Sequence, residues 1–347
     1  MPMRPPFELA GVSVTAGSQA TVELPVSVLA DHTPVGLRVQ VLHGKRSGPT
    51  AFVSAAVHGD EVVGVEIVRR LLNVLDIKSV RGTLLVVPVV NAFGFLNRSR
   101  YLPDRRDLNR SFPGSSRGSL ASRLAQIFLD DVVSPCSFGI DLHSAAVHRT
   151  NLPQCRVSPS NPNTLSMARV FGAPVILRSA LREGSLRAEA EARGVDVLLY
   201  EAGEGLRFDE MAVRAGVTGI LRVLHQAGML PSKGIPKVKN PPMVCASSQW
   251  LRAPAGGLLR TFKGDGDVVG AGDVMASVAD PFGAIEAEIV APSDGIVIGR
   301  AVMPLVNEGD AVFHLADLPK RGDAESTVED IAAELEASPL FDEDEII

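Results

Sequence analysis

His58-Gly59-Asp60-Glu61 sets an imidazole and a carboxylate three positions apart around a glycine, a spacing that can turn both side chains on one ion. The same four residues also read as a helix start, with Asp60 and Glu61 complementing the first-turn amides. Asp141-Leu142-His143 offers a second imidazole with a carboxylate two residues before it. A metal-bound imidazole usually donates its other N–H to such a carboxylate, or to a backbone carbonyl. Two histidines and one carboxylate leave a position open, the composition of a catalytic zinc set. His148 is a weaker addition five residues on. His32, His43, His225 and His314 have no acidic or histidine partner at ligand spacing and read as structural.

Two further elements carry charge suited to catalysis. Arg100, Arg105, Arg106 and Arg110 crowd one loop, with Asn109 beside Arg110. Arginines in a loop are ordinarily solvated or paired with acids, but this density also suits bidentate capture of a carboxylate. Glu201 directly follows an apolar run, Val195 to Tyr200. It reads either as a turn cap or, near a metal site, as a general base. Glu204 is its rival three residues on.

These groups need a scaffold that delivers them to one place. Pro49 to Val57 is a continuous apolar run that stops at His58, as a buried strand would. Glu61 to Leu75 then carries Val65, Val68, Leu71, Leu72 and Leu75 on a helical stripe. Thr83 to Val90 is another apolar strand, and Ser137 to His143 and Val195 to Tyr200 repeat the pattern. Helices are expected at 120–133, 163–171, 186–193 and 210–227, with a long loop over 91–118 and a polar segment after His143. The rhythm predicts an α/β fold with a mixed, mostly parallel sheet and helices on both faces, and strand ends that meet at one edge. Beyond a Pro/Lys linker near 231–242 the grammar changes. Short Val/Ile runs broken by Gly-Asp turns predict a small C-terminal all-β domain. The expected division is a catalytic domain over 1–235, the β domain over 236–318 and an acidic tail over 319–347. The tail should hold one weak helix near 327–337 and a disordered end.

Composition narrows the function. Over 347 residues the net charge is −6, which argues against nucleic-acid binding. The three cysteines are scattered and no CxxC occurs, so neither a disulfide framework nor a thiolate zinc site is expected. A cytoplasmic setting follows, with no membrane partner, since neither a leader-like segment nor a run of eighteen apolar residues appears. A homo-oligomer stays open.

Taken in order, the HGDE of 58–61, Arg100-Tyr101, the DLNRSFPG of 107–114, the DLH of 141–143 and Glu201 resemble the succinylglutamate desuccinylase/aspartoacylase family of the zinc carboxypeptidase superfamily. The resemblance covers about residues 49–230. It implies one zinc ion per chain on His58, Glu61 and His143, with Arg100 polarising the scissile carbonyl. Asn109 and Arg110 would grip a substrate carboxylate, and Glu201 would act as acid/base. The implied reaction is amide hydrolysis of an N-acyl amino acid; the alternative is a metallocarboxypeptidase that trims a C-terminal residue, perhaps glutamate, from a peptide or protein tail. Both take a small acidic amide or a peptide C-terminus as partner. A longer loop between Tyr101 and Asp107 leaves Arg105 as a possible substitute for Arg100. Asn151-Leu152-Pro153-Gln154 and Arg156 match no substrate residue. The C-terminal region resembles barrel-sandwich domains that carry biotin or lipoyl groups. The attachment position holds Ala284 rather than lysine, so a wall or lid over the site is expected instead of a carrier.

Overall fold

The apolar runs and helical stripes fold in the order they alternate along the chain. The computed structural model describes residues 4–283, 285–318 and 324–336. A hairpin of β1 (Phe7–Leu9) and β2 (Val12–Val14) precedes β3 (Ser18–Val28), β4 (Pro34–His43), β5 (Arg46–Ala55), α1 (Val63–Val74) and β6 (Arg81–Val87). Next come α2 (Ala92–Leu96), α3 (Leu120–Ile127), β7 (Phe138–His143), β8 (Arg149–Val157), α4 (Pro162–Phe171), β9 (Val175–Arg178), α5 (Leu186–Ala192), β10 (Asp196–Glu204) and α6 (Glu210–Gln226). The C-terminal region contributes β11 (Met243–Cys245), β12 (Ser248–Arg252), β13 (Gly257–Thr261), β14 (Val268–Val269), β15 (Val274–Ala279), β16 (Ile285–Val290), β17 (Gly295–Ala301), β18 (Leu305–Val306), β19 (Ala311–Asp317) and α7 (Ala324–Glu336).

The main sheet runs β12-β19-β17-β8-β10-β7-β5-β6-β4-β3. Its centre, β10-β7-β5-β6, is parallel, and antiparallel strands flank it on both sides. This is the expected mixed α/β architecture. Alternation along the strands divides the core into two faces. Val53, Ile140, Leu142, Leu198 and Tyr200 pack with Ile67, Leu71, Phe171 and Val217 from α1, α4 and α6. Phe52, Val197 and Leu85 pack on the other face with Leu124, Phe128 and Leu186. Asp141 and His143 alternate with Ile140 and Leu142, so they share the face of Phe52. Glu201 lies in register with His143 across the parallel pair β10·β7. Both therefore emerge from one face, at the carboxyl ends of the central strands.

Two elements differ from the sequence expectation. The loop over 91–118 contains α2, capped where Asn91 accepts from the Gly94 amide at 2.8 Å. The polar segment after His143 contains β8, which is flanked by β10 on one side. Pro153 argues against a central strand because it lacks an N–H. Here it sits where the other neighbour of β8 changes from β17, paired at 149–151, to β9, paired at 154–157. No ladder bond is needed from it.

The C-terminal strands β12, β19 and β17 continue the main sheet through β17·β8, and β11 adds to β9. A second, antiparallel sheet, β16-β15-β13-β18, covers them around Met275, Val278, Val297 and Phe313. Helix α7 falls close to the helix expected in the acidic tail. Its Ile331 is buried with the α6 face, and Glu334 pairs with Arg222 at 2.9 Å. The end of the tail and Ala284 lie outside the described residues. Among the described residues no helix is long and apolar enough to cross a membrane.

Gly139 on β7 shows how tightly the strand beneath the site is packed. A Cβ there would stand 2.0 Å from the ring of fully buried Phe52, itself edge-on to Phe128. Gly139→Ala should therefore destabilise the fold by about 1–3 kcal/mol through overpacking. The check is a lowered urea midpoint at unchanged slope; an unmoved midpoint would contradict this account of the core.

Candidate active site

The chain leaves β5 through Ala56, in the left-handed region at φ +50°, and turns at once. The Glu61 amide donates to the His58 carbonyl at 3.2 Å, closing a tight turn ahead of α1. Gly59 is required by contact. A Cβ would lie 1.9 Å from the carbonyl carbon of Gly94 in α2, so backbone meets backbone and only glycine fits. The turn thereby throws His58 and Glu61 to the same side. Asp60 points elsewhere: its Oδ1 is buried with no hydrogen-bond partner among the described residues, and burial and then Glu61 push its carboxyl up.

His58, Glu61 and His143 converge, with one potential ligand atom from each lying within 4.8 Å of the others. His58 Nδ1 is 2.6 Å from Glu61 Oε1, and His143 Nδ1 is 2.7 Å from Glu61 Oε2. The opposite ring nitrogens are occupied. His58 Nε2 is 3.0 Å from Asp107 Oδ1, and His143 Nε2 is 2.7 Å from Asp141 Oδ2. Asp141 is itself held by the Ser54 hydroxyl at 2.7 Å. Each carboxylate thus claims the Nε2–H and turns Nδ1 toward the centre, the arrangement that orients histidine ligands. The donor set of two imidazoles and one carboxylate, all buried, fits a divalent cation such as zinc.

Charge in the cluster is balanced by contact. Burial works against the imidazolium forms, but Glu61 and Asp107 outweigh it at His58 and hold it above the ordinary value. Asp141 and Glu61 hold His143 well above. Burial would push Glu61 up, yet His58 and His143 keep it well below the usual carboxylate range. Asp107 is held low in the same way, by His58 and Arg100. A bound cation would take the place of the imidazolium protons, so cation and proton compete for these rings.

Arg100 reaches this group directly, donating to Glu61 at 3.1 Å and to Asp107 at 3.0 Å. Arg105 is exposed and absent from the cavity wall. Asn109 and Arg110 follow in a short helical turn capped by Asp107. Asn109 accepts from the Leu186 amide at 2.9 Å, tying the turn to α5. Both residues line a cavity of about 200 Å³ shared with the His/Glu/His group and with Glu201. Glu201 accepts from Asn151 Nδ2 at 2.8 Å and faces Arg156 at 3.3 Å. Glu204 turns away to Arg207 and the His148 amide, and His148 is exposed.

Three of the other histidines bond away from the cavity, and His32 is exposed. His43 bridges Thr83 and the Pro5 carbonyl, His225 meets the Leu230 carbonyl, and His314 meets Ser248. Sequence reasoning missed much of the wall. Besides Arg100 and Arg110, the cavity is lined by Arg149, Arg156, Arg182 and Arg187. Burial pushes the Arg187 guanidinium down to about 10, which leaves it charged at neutral pH. The available signal was the density of arginine on both sides of β9, four residues among 169–187. Asp107, inside the recognised DLNRSFPG stretch, was not recognised as the partner of His58.

The succinylglutamate desuccinylase/aspartoacylase catalytic-domain model matches residues 47–227. The N-alpha-acetyl-L-2,4-diaminobutyric acid deacetylase of Halomonas elongata is 27% identical over 285 residues, 78% of this chain and 83% of that protein. A succinylglutamate desuccinylase/aspartoacylase from Rhodobacter sphaeroides superposes with a TM-score of 0.76 at 26% identity, covering 86% of this chain and 96% of the other. The product-bound ectoine utilization protein of Ruegeria pomeroyi gives a TM-score of 0.79 at 24% identity, with 91% and 98% covered; that likeness speaks to fold.

The purified chain should bind about one divalent cation, and Asp107→Ala should weaken that affinity roughly 10- to 100-fold by freeing the His58 ring. Chelator competition measures it, and equal affinity would remove Asp107 from the site. Because protons compete for both imidazoles, retained metal should fall as pH is lowered.

Proposed function

This chain belongs to the succinylglutamate desuccinylase/aspartoacylase family, and on that premise we propose that it is a zinc-dependent hydrolase releasing the acyl group of an N-acyl amino acid. The observation that carries the reading is the convergence of His58, Glu61 and His143 in one cavity with Glu201. The outer nitrogens of both rings are already held by Asp107 and Asp141. The named activity of the Halomonas elongata relative supports deacylation. Three free, buried cysteines support a reducing, cytoplasmic setting.

His58, Glu61 and His143 would hold zinc, which supplies Lewis acidity toward a carbonyl and toward water when bound. The chain's own groups then divide the reaction. Asn109 and Arg110 bind the amino acid's carboxylate and set the amide in place. Arg100 donates to the carbonyl oxygen as negative charge gathers on it, an electrostatic contribution that grows toward the transition state. Glu201 accepts a proton from the attacking water and returns it to the leaving amine. Asn151 keeps one Glu201 oxygen oriented. A small cavity bounded by Trp250 of the C-terminal region favours a compact amide over a protein tail. Mass-spectrometric screening against N-acyl amino acids and short glutamyl peptides tests this; cleavage of peptides alone would transfer the site to the carboxypeptidase reading.

Two substitutions probe the roles. Glu201→Gln should leave metal content unchanged and lower activity by ~10²–10⁴-fold, mainly in kcat. Glu204→Gln should do far less. Metal loss in the Glu201 variant, or full activity, would remove it as base. Arg110→Ala should raise KM roughly 10- to 100-fold, as loss of a charge-assisted carboxylate contact does; an unchanged KM would end the clamp assignment.

A further inference from the structure

Strand β8 lies between β10, which carries Glu201, and β17 of the C-terminal region. From β8, Asn151 Nδ2 donates to Glu201 at 2.8 Å. An irregularity in the ladder makes that contact. Between the pairs Glu201↔Gln154 and Gly203↔Asn151, β8 advances from 151 to 154 while β10 advances only from 201 to 203. The extra residue is a bulge, and bulges re-aim the side chains beside them. Asn151 is thus opposite Gly203 in register and yet bonded to Glu201. It is 7% exposed, so what surrounds it decides where its amide points.

On its other side Asn151 is paired with Gly299 of β17. Directly opposed residues put their side chains on one face of the sheet, with Cβ atoms roughly 4.5–5.5 Å apart. A side chain at 299 would therefore compete with Asn151 for the same space. A Cβ there would lie 2.5 Å from Asn151 Oδ1 and 3.0 Å from the Thr150 carbonyl oxygen. Gly299 does not have a positive φ, so the glycine answers a need for room and not for backbone freedom. The strand is also pinned at this point. The Gln154 amide donates to the Ile298 carbonyl at 2.8 Å, and the Val302 amide donates to the His148 carbonyl at 3.0 Å. With the backbones tied, the group left to yield to a methyl at 299 is the Asn151 side chain.

We propose that Gly299 is a positioning residue for the general base: by presenting no side chain, it leaves the space in which Asn151 lies against Glu201. The C-terminal β region then sets the direction of the base as well as bounding the cavity. Gly299 is itself absent from the cavity wall and acts only through Asn151. The inference rests on the hydrolase reading for what Glu201 does.

Gly299→Ala should displace the Asn151 amide, seen as a broken Asn151–Glu201 contact in a crystal structure of the variant. Its kcat should fall roughly 10- to 100-fold at nearly unchanged KM, the cost of a base about 1 Å out of line. Metal content should stay the same. Asn151→Ala should reproduce the fall, and adding Gly299→Ala to it should cost nothing further, because the atom that the new methyl meets is gone. Gly295→Ala on the same strand is the control for distortion, since its Cβ would stand 2.7 Å from Leu315 Cγ. It should lower the urea midpoint and keep kcat per folded chain. An active parent whose Gly299→Ala variant keeps full kcat, or loses as much again on top of Asn151→Ala, overturns the positioning role and leaves the hydrolase reading intact. An equal loss of kcat in Gly295→Ala does the same. If Gly299→Ala does not fold, the double variant with Asn151→Ala should; a double variant that also fails puts the clash on the Thr150 backbone and overturns the role. A parent that cleaves neither N-acyl amino acids nor peptides removes the hydrolase reading, and the positioning role falls with it.

Discussion

Two histidines from different strands can serve one ion only if each turns a free nitrogen to the same point, and Asp107 and Asp141 impose that condition. Each takes the Nε2 of one ring, which leaves two Nδ1 atoms facing the Glu61 carboxylate. Without those outer partners the rings would be free to turn, and the three ligands would be neighbours without being a site. The constraint reaches into the scaffold. Asp141 and His143 must be two residues apart on one strand to share a face, and Ser54 on the adjacent parallel strand must steady Asp141. Asp107 must come back across the sheet edge from a loop 49 residues beyond His58.

The charges gathered around Glu61 are tolerable because the members of that group, unlike neighbouring Asp60, are matched. An unpaired buried carboxylate or guanidinium is strongly unfavourable, whereas a well-paired cluster can come close to breaking even. Glu61, Asp107 and Asp141 are satisfied by His58, His143, Arg100 and Ser54. The glycine between His58 and Asp60 belongs to the same economy of space, since it lets α2 press against the turn and brings Arg100 and Asp107 within reach of Glu61.

Legibility in the sequence followed the same physics. His58, His143 and Glu201 each end an apolar run, so periodicity alone places them at strand ends, and parallel pairing does the rest. Their convergence could be anticipated because strand ends of a parallel sheet share an edge. Strand β8 could not be read this way. Asn151 and Arg156 are polar because they line the site, Gln154 because its amide serves the Ile298 carbonyl of a neighbouring strand, and Pro153 resembles a breaker unless the change of neighbour at 151–154 is known. The arginine wall was hidden for a related reason. Its members come from β8, from the segment before α5 and from α5 itself, so no repeating spacing links them and only the density of arginine around β9 hints at them. The hydrogen-bonded continuation of the sheet through β17 is equally invisible to composition, because short Gly-Asp-punctuated strands read the same whether or not they join a neighbouring sheet.

The cavity holds two carboxylates, and their surroundings divide the labour the proposed reaction needs. Glu61 is enclosed, with its side chain 3% exposed, and is met by two imidazoles, Arg100 and the Ser144 amide. A carboxylate so surrounded is held in its charged form and has no lone pair free for a proton in transit. That suits a ligand. Glu201 stands across the sheet in register with His143, its side chain 13% exposed to the cavity, with Asn151 on one oxygen and Arg156 at 3.3 Å from the other. Neutral amide and single guanidinium fix its direction without closing it off. A general base must be oriented and yet open to the proton it takes. Of the two carboxylates only Glu201 meets both demands, and it does so because β8, the strand hardest to read from sequence, lies alongside it.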